Sequence, residues 1–298
     1  MNKTITIILA AALVMGSCAT VPVTGRKQVL LVNDSEVLSA SLTEYQSYMK
    51  TATRSTNAQW TAQVERVGRN IANATEAYLR QTGQSGEIRN FAWEFNLVKN
   101  NELNAFCMPG GKIVVYEGLM KLVSSDDELA VVLGHEVAHA VAKHSNERMS
   151  QQVLSQYGAN VLGSVLSDKS AAIQNVAGKV YGLGTQYGIT LPFSRKHESE
   201  ADYIGLIFMR LAGYDPNVAL TFWQKMASMS QGSTPEFMST HPSDSKRISQ
   251  IKKELPGVMS KYKPLSGTQQ ATPARQDVET IHFGLVDKFH DEPRVNIL

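Results

Sequence analysis

Residues 125–144 read Ser125-Asp126-Asp127-Glu128-Leu129-Ala130-Val131-Val132-Leu133-Gly134-His135-Glu136-Val137-Ala138-His139-Ala140-Val141-Ala142-Lys143-His144. The opening is a helix start: Ser125 suits the N-cap, Glu128 three residues on fits a capping box, and the acidic first turn complements the helix dipole. The apolar residues from Leu129 to Val141 predict a mostly buried helix through at least His144, with continuation to Tyr157 left open. On such a helix His135 and His139 lie one turn apart on the same face. Two histidines and a glutamate on a buried helix are costly unless partnered or bound to a metal. The spacing lets both imidazoles reach one Zn2+ at about 2.0–2.1 Å. Glu136 points about 100° around the helix, so it can contact a metal-bound water without filling a coordination position. The metal would lower the pKa of that water towards about 7, and the carboxylate would take its proton during attack on a carbonyl.

A catalytic zinc needs a third protein ligand. The candidates after the motif are His144, His197, Glu198, Glu200, Asp202 and His241. The stretch from Arg195 to Gly205 is again helical. In it Glu198 and Asp202, at i and i+4, share a face, and Glu200 faces elsewhere. One carboxylate of that pair can ligate while the other accepts the free ring N–H of a ligand histidine, fixing its tautomer and orientation. Glu200 reads as a solvated charge. His144 and His197 are out of helical phase with their motifs and read as surface residues. His282 and His290 carry no spacing signal, and Cys107 reads as a small buried apolar residue rather than a nucleophile.

Outward from the motif, helices are expected from Asn33 to about Lys50 and from Ala58 to Leu79, the second with Trp60, Val64, Val67, Ile71 and Ala74 at helical spacing. Phe91, Trp93, Phe95 and Leu97 alternate with Ala92, Glu94 and Asn96, a strand with one buried face. Residues 104–116 read as two strands around Pro109-Gly110-Gly111, and Lys112–Tyr116 is a candidate edge for a bound peptide. The glycine-rich segment 158–190 is expected to cover the cleft. Further helices are expected from about Arg195 to Leu211, closed by Gly213, from Asp215-Pro216 to about Met229, and from Ser243 to Leu255.

The chain has 298 residues, with 29 basic against 27 acidic, a balance that argues against nucleic acid as a partner. Two cysteines cannot build a disulfide framework. Lys3, an apolar run from Ile5 to Met15 and then Gly16-Ser17 describe a secretory signal peptide, and Cys18 directly after them resembles a bacterial lipobox, in which the cysteine is acylated. The apolar stretch is shorter than the roughly 20 residues needed to span a bilayer. The expected organisation is a lipoprotein signal peptide over 1–17, a lipidated tether over 18–32, a catalytic domain over 33–263 and a C-terminal tail over 264–298.

Taken together, His135-Glu-Val-Ala-His139, Glu198-Ser-Glu-Ala-Asp202 beginning 59 residues after His139, Asn104-Ala-Phe with Pro109-Gly-Gly, and Thr240-His241-Pro242 with Arg247 resemble the zinc metallopeptidases of the CAAX prenyl protease 1 and HtpX type. The start at Cys18, followed by Val21-Pro22-Val23-Thr24-Gly25-Arg26, is similar to the periplasmic lipoprotein branch of that family. The resemblance covers roughly residues 19–255. It implies an α+β, mainly helical, zincin-like fold with a small antiparallel sheet and an active-site helix. It implies one Zn2+ per chain held by His135, His139 and Glu198, with Glu136 as catalytic base. Asp202 matches an acid sometimes described as a proton donor; its spacing suits orienting a ligand histidine. His241 is implied as a loop histidine that plugs the open position or stabilises the oxyanion, with Arg247 as partner for the carbonyl or a neighbouring carboxylate. The implied activity is that of a membrane-anchored endopeptidase acting on envelope proteins from the periplasm, the outer membrane being favoured over the inner. The alternative is a chaperone or assembly factor working with the outer-membrane assembly machinery, its peptidase site latent.

Overall fold

The computed structural model describes residues 18–157, 194–229, 236–241 and 245–265. The segment 158–190 and all but the first two residues of the 264–298 stretch therefore lie outside the described residues. A hairpin opens the structure: β1 (Cys18–Thr20) pairs antiparallel with β2 (Lys27–Val29). Two helices follow, α1 (Asp34–Thr51) and α2 (Ala58–Gln81). The Asn57 side chain caps α2 by accepting from Trp60 N, and its Val64, Val67, Ile71 and Leu79 are fully buried.

Three strands, β3 (Glu94–Val98), β4 (Ala105–Met108) and β5 (Lys112–Tyr116), form a sheet in the order β3-β5-β4. The β4–β5 pair is antiparallel around the Pro-Gly-Gly turn as expected, with Cys107 opposite Ile113. β3, however, runs parallel to β5, so the small sheet is mixed, and β5 is its central strand rather than an edge. Of the two edge strands, β3 is bridged at Val98 by the segment around Arg54, which leaves β4 as the open edge among the described residues. Gly111 at the turn has φ +79°, and a Cβ there would meet the Trp93 ring at 2.5 Å, so the turn needs glycine on both counts.

The sheet is covered on both faces. Phe95, Leu97, Ala105, Cys107, Ile113 and Val115 join the main core with α2. Val98, Met108, Val114 and Tyr116 turn the other way, into a smaller cluster with Val37 and Tyr45 of α1 and Met149. Asn96 is accordingly buried, not solvated: it donates to the Tyr45 hydroxyl at 2.7 Å.

After α3 (Glu117–Leu122), the motif helix α4 runs from Asp126 to Val141. Ser125 Oγ accepts from Glu128 N at 3.2 Å, and the Glu128 carboxylate reaches back to Ser124 N at 2.8 Å. The helix does not continue to Tyr157. Lys143 adopts φ +57°, and α5 (His144–Tyr157) starts afresh beyond it. A non-glycine left-handed residue costs of order 1–3 kcal/mol, offset here by the Lys143 ammonium bridging Asp34 at 2.6 Å and Glu87 at 2.8 Å.

Beyond α5 the described elements are α6 (Arg195–Leu211), α7 (Val218–Ser228), α8 (Glu236–Thr240) and α9 (Ser245–Lys261). α7 starts two residues beyond Pro216, and α9 carries Pro256 inside it, past the expected stop at Leu255. α4 and α6 cross at two glycines: a Cβ on Gly205 would lie 2.9 Å from the His135 backbone nitrogen, and one on Gly134 3.0 Å from the Gly205 carbonyl oxygen. That contact brings the backbones close enough for side chains of both helices to meet at one point.

Candidate metal centre

The side chains of His135 and His139 on α4, Glu198 on α6 and His241 after α8 converge, each offering one donor atom, all within 4.8 Å of one another and all buried. His139 Nε2 is 3.0 Å from His135 Nε2, and each faces a Glu198 carboxylate oxygen at 3.4 Å. His241 Nδ1 lies 3.4 Å from His135 Nε2 and 3.1 Å from Glu198 Oε1.

Each donor is held from behind. His135 Nδ1 is 3.0 Å from Asp202 Oδ1, and Arg247 grips the same carboxylate through Nε and, at 2.8 Å, through Nη2. Arg247 also lies 3.1 Å from Glu198 Oε2 and stacks over Trp223 at 4.3 Å. Burial opposes ionisation of Asp202, but the Arg247 charge holds it below the usual carboxylate range. Burial likewise opposes the Glu198 charge, and His241 and Arg247 together hold its carboxyl well down. His241 is stacked on Phe237 (4.5 Å, 20°), which stacks in turn on Trp223.

Glu136 sits apart from the donors. Its Oε2 accepts from the Cys107 backbone N–H at 3.0 Å, so the open edge of β4 faces the centre, and its Oε1 is 3.5 Å from His241 Nε2. Burial pushes the Glu136 carboxyl above the ordinary carboxylate range, which favours accepting a proton. Cys107 is buried as expected, and burial pushes its thiol up, away from nucleophilic use.

A family model described as Peptidase family M48 matches residues 58–255, more than half of the chain. The chain belongs to peptidase family M48. The chain is 38% identical over 193 residues to the mitochondrial metalloendopeptidase OMA1 of Schizosaccharomyces pombe, covering 64% of this chain and 55% of that protein. Human mitochondrial metalloendopeptidase OMA1 is 28% identical over 245 residues (79% of this chain, 45% of that one). The beta-barrel assembly-enhancing protease of Yersinia pestis is 35% identical over 162 residues (53% and 33%). The chain thus spans about half, or less, of the length of these curated relatives.

M48 metallopeptidases use zinc, and the residues present fit it. Ligands about 2.1 Å from a tetrahedral centre lie about 3.4 Å apart, against the 3.0–3.4 Å found between neighbouring donor atoms here. Glu136 Oε1 is a buried oxygen that accepts no hydrogen bond, and Glu198 Oε2, also without one, has the Arg247 charge beside it at 3.1 Å. Two buried carboxylates, Glu198 and Asp202, pair with the single buried Arg247 guanidinium, and a third, Glu136, is buried beside His241. A divalent cation would neutralise the excess.

The structure also corrects three expectations. Glu200 is not a solvated charge: it is buried, and it accepts from the Thr24 hydroxyl, from Arg26 Nε at 2.6 Å, and lies 3.0 Å from His144 Nε2. His144 and His197 are not surface residues; both are buried, with rings stacked at 4.5 Å. His144 Nδ1 is 2.9 Å from His139 Nδ1, and His197 Nε2 is 3.0 Å from Glu147, which Arg26 also binds. Phase counting failed for His144 because the helix breaks at Lys143, where neither Gly nor Pro marks the change. For Arg26, Glu147 and Glu200 no local signal exists, since three distant segments bring them together.

Proposed function

We propose that this chain is a zinc-dependent endopeptidase in which His135, His139 and Glu198 hold the metal and Glu136 is the catalytic base. The observation that carries the reading is the position of Glu136: adjacent to the donor cluster, outside it, and tied to the β4 edge through Cys107 N. When bound, zinc supplies Lewis acidity to a water and to the scissile carbonyl. Glu136 accepts the proton released in attack and returns it to the leaving amine. Asp202, gripped by Arg247, keeps His135 protonated on Nδ1 and leaves Nε2 for the metal. β4 offers the open edge to which an extended substrate would add as a strand.

His241 acts as a fourth donor in the resting enzyme. Its Nδ1 stands at ligand spacing from His135 and Glu198, where a catalytic site keeps a place for water. This favours a latent peptidase opened by movement of the short segment that carries His241, and it is the observation behind the second reading, an assembly factor that holds unfolded envelope protein with its site closed. The same proposal places the chain at the bacterial envelope, with residues 1–17 as signal peptide, a lipid on Cys18, the 33–263 region in the periplasm and 264–298 as a tail, the outer membrane being favoured. Its support is the lipobox-like Gly16-Ser17-Cys18 and the similarity to the beta-barrel assembly-enhancing protease of Yersinia pestis. Among the described residues no helix is long and apolar enough to cross a membrane.

Glu136→Gln tests the central claim. The variant is expected to keep one zinc and to lose casein cleavage by about 100-fold or more. Cleavage persisting in the pure zinc-loaded variant would remove Glu136 from its role, and a variant that fully restores a deletion strain would favour the assembly reading.

A further inference from the structure

His135 and His139 are oriented by different means. Behind His135 stands a carboxylate; behind His139 stands another histidine. With His139 Nε2 turned to the donor cluster, its Nδ1 carries the proton and donates to His144 Nδ1 at 2.9 Å. His144 must then be protonated on Nε2, which donates to Glu200 Oε2 at 3.0 Å. Glu200 is fixed by Arg26 Nε at 2.6 Å and by the Thr24 hydroxyl. Arg26 spends its other two nitrogens on Glu147 at 3.0 and 2.6 Å, and Glu147 accepts from His197, whose ring stacks on His144. Each donor in this chain meets an acceptor, and only one set of tautomers satisfies it.

The structure assigns Thr24, Arg26, Glu200 and His144 as positioning residues for the second histidine of the metal motif, so that the N-terminal hairpin, which lies before the M48 match, completes the metal centre. The assignment rests on His139 being a metal ligand. Arg26 is the joint. It lies immediately before β2, and its guanidinium joins a carboxylate on α5 to one on α6. Without it, two buried carboxylates lose their shared cation, and the partner that fixes the His144 tautomer is free to turn. A neutral imidazole interposed between ligand and carboxylate makes His139 less basic than a direct carboxylate would. It also makes its orientation depend on a segment far away in sequence.

The test is zinc affinity, measured on the full-length protein in detergent by competition with a chelating dye, together with the visible spectrum of the Co2+-substituted protein. Glu200→Gln and Arg26→Ala are expected to weaken zinc binding about tenfold or more and to alter the Co2+ band. Arg26→Lys keeps the charge but not the fork, and should fall between them and the wild type. Arg66→Ala, which breaks the Arg66–Asp126 ion pair at the start of α4 without touching the donor cluster, controls for general destabilisation and should leave both readouts unchanged. Should Glu200→Gln or Arg26→Ala fail to fold, Thr24→Val and Arg26→Lys carry the comparison. Wild-type affinity and spectrum in the folded Glu200 and Arg26 variants would overturn the assignment, as would an equal loss in Arg66→Ala. If instead the wild type takes up no zinc, or His139→Ala binds it undiminished, the metal reading itself falls.

Discussion

Glu136, Glu198 and Glu200 are all buried glutamates near the same point, and their surroundings give them different work. Glu136, with a single backbone N–H to accept from, is pushed towards the protonated form by burial. Glu198 is held ionised by His241 and Arg247 against the cost of burial. Glu200 is opposed by burial too, but its bonds to His144, Thr24 and Arg26 bring it down to about 2. The helical face shared by Glu198 and Asp202 was legible in their spacing of four. The burial of Glu200 was not, because its partners come from residues 24, 26 and 144. His241 gives a prediction at this scale. If its imidazole closes the fourth position, His241→Ala should raise basal casein cleavage several-fold with zinc retained, and a fall in cleavage would assign it to the reaction instead.

The pairing of α4 with α6 is where element packing becomes chemistry. Gly134 and Gly205 allow the backbones to touch, and the metal motif begins at the next residue after Gly134. Nothing in the sequence marked this crossing: each glycine reads locally as a weak point in a helix. Gly205→Ala would drive a methyl against the His135 backbone, and neither neighbour is a flexible side chain that could give way. We expect a loss of about 1–3 kcal/mol in stability and weaker zinc binding; chemical denaturation of the apo protein and chelator competition measure the two separately. Unchanged values for both would show that the helices separate without cost. The elements themselves were largely readable, since apolar periodicity and caps set α2, α6 and the start of α4 close to their observed limits, whereas α4 ends at Val141, short of the expected His144. The Lys143 break escaped because its support is tertiary, from Asp34 and Glu87. The parallel β3–β5 pairing escaped because alternation reports a strand's faces and not its neighbours.

For the molecule as a whole, the ion cluster around Arg26 joins the N-terminal hairpin, α5 and α6. Burial opposes the Glu147 charge, but His197 and Arg26 hold its carboxyl down to about 2, against an ordinary value near 4.5. A carboxylate with a depressed folded-state pKa stabilises above its unfolded value and loses that contribution as pH falls through the folded one. The gap in melting temperature between wild type and Glu147→Gln should therefore be full above about pH 4.5 and narrow steadily below it. A gap constant down to pH 3 would mean that the charge of Glu147 adds no folding energy.

Similarity and structure draw the boundary of this domain in different places. The family match begins at residue 58, while Thr24 and Arg26 reach Glu200 from a hairpin more than thirty residues earlier. A protein trimmed to 58–255 would look complete by homology, yet it would leave Glu147 and Glu200 facing each other across an empty slot. Low metal content in such a fragment would report the trimming, not the enzyme. An affinity tag fused just ahead of Arg26 would carry the same hazard, so purification handles belong at the other end.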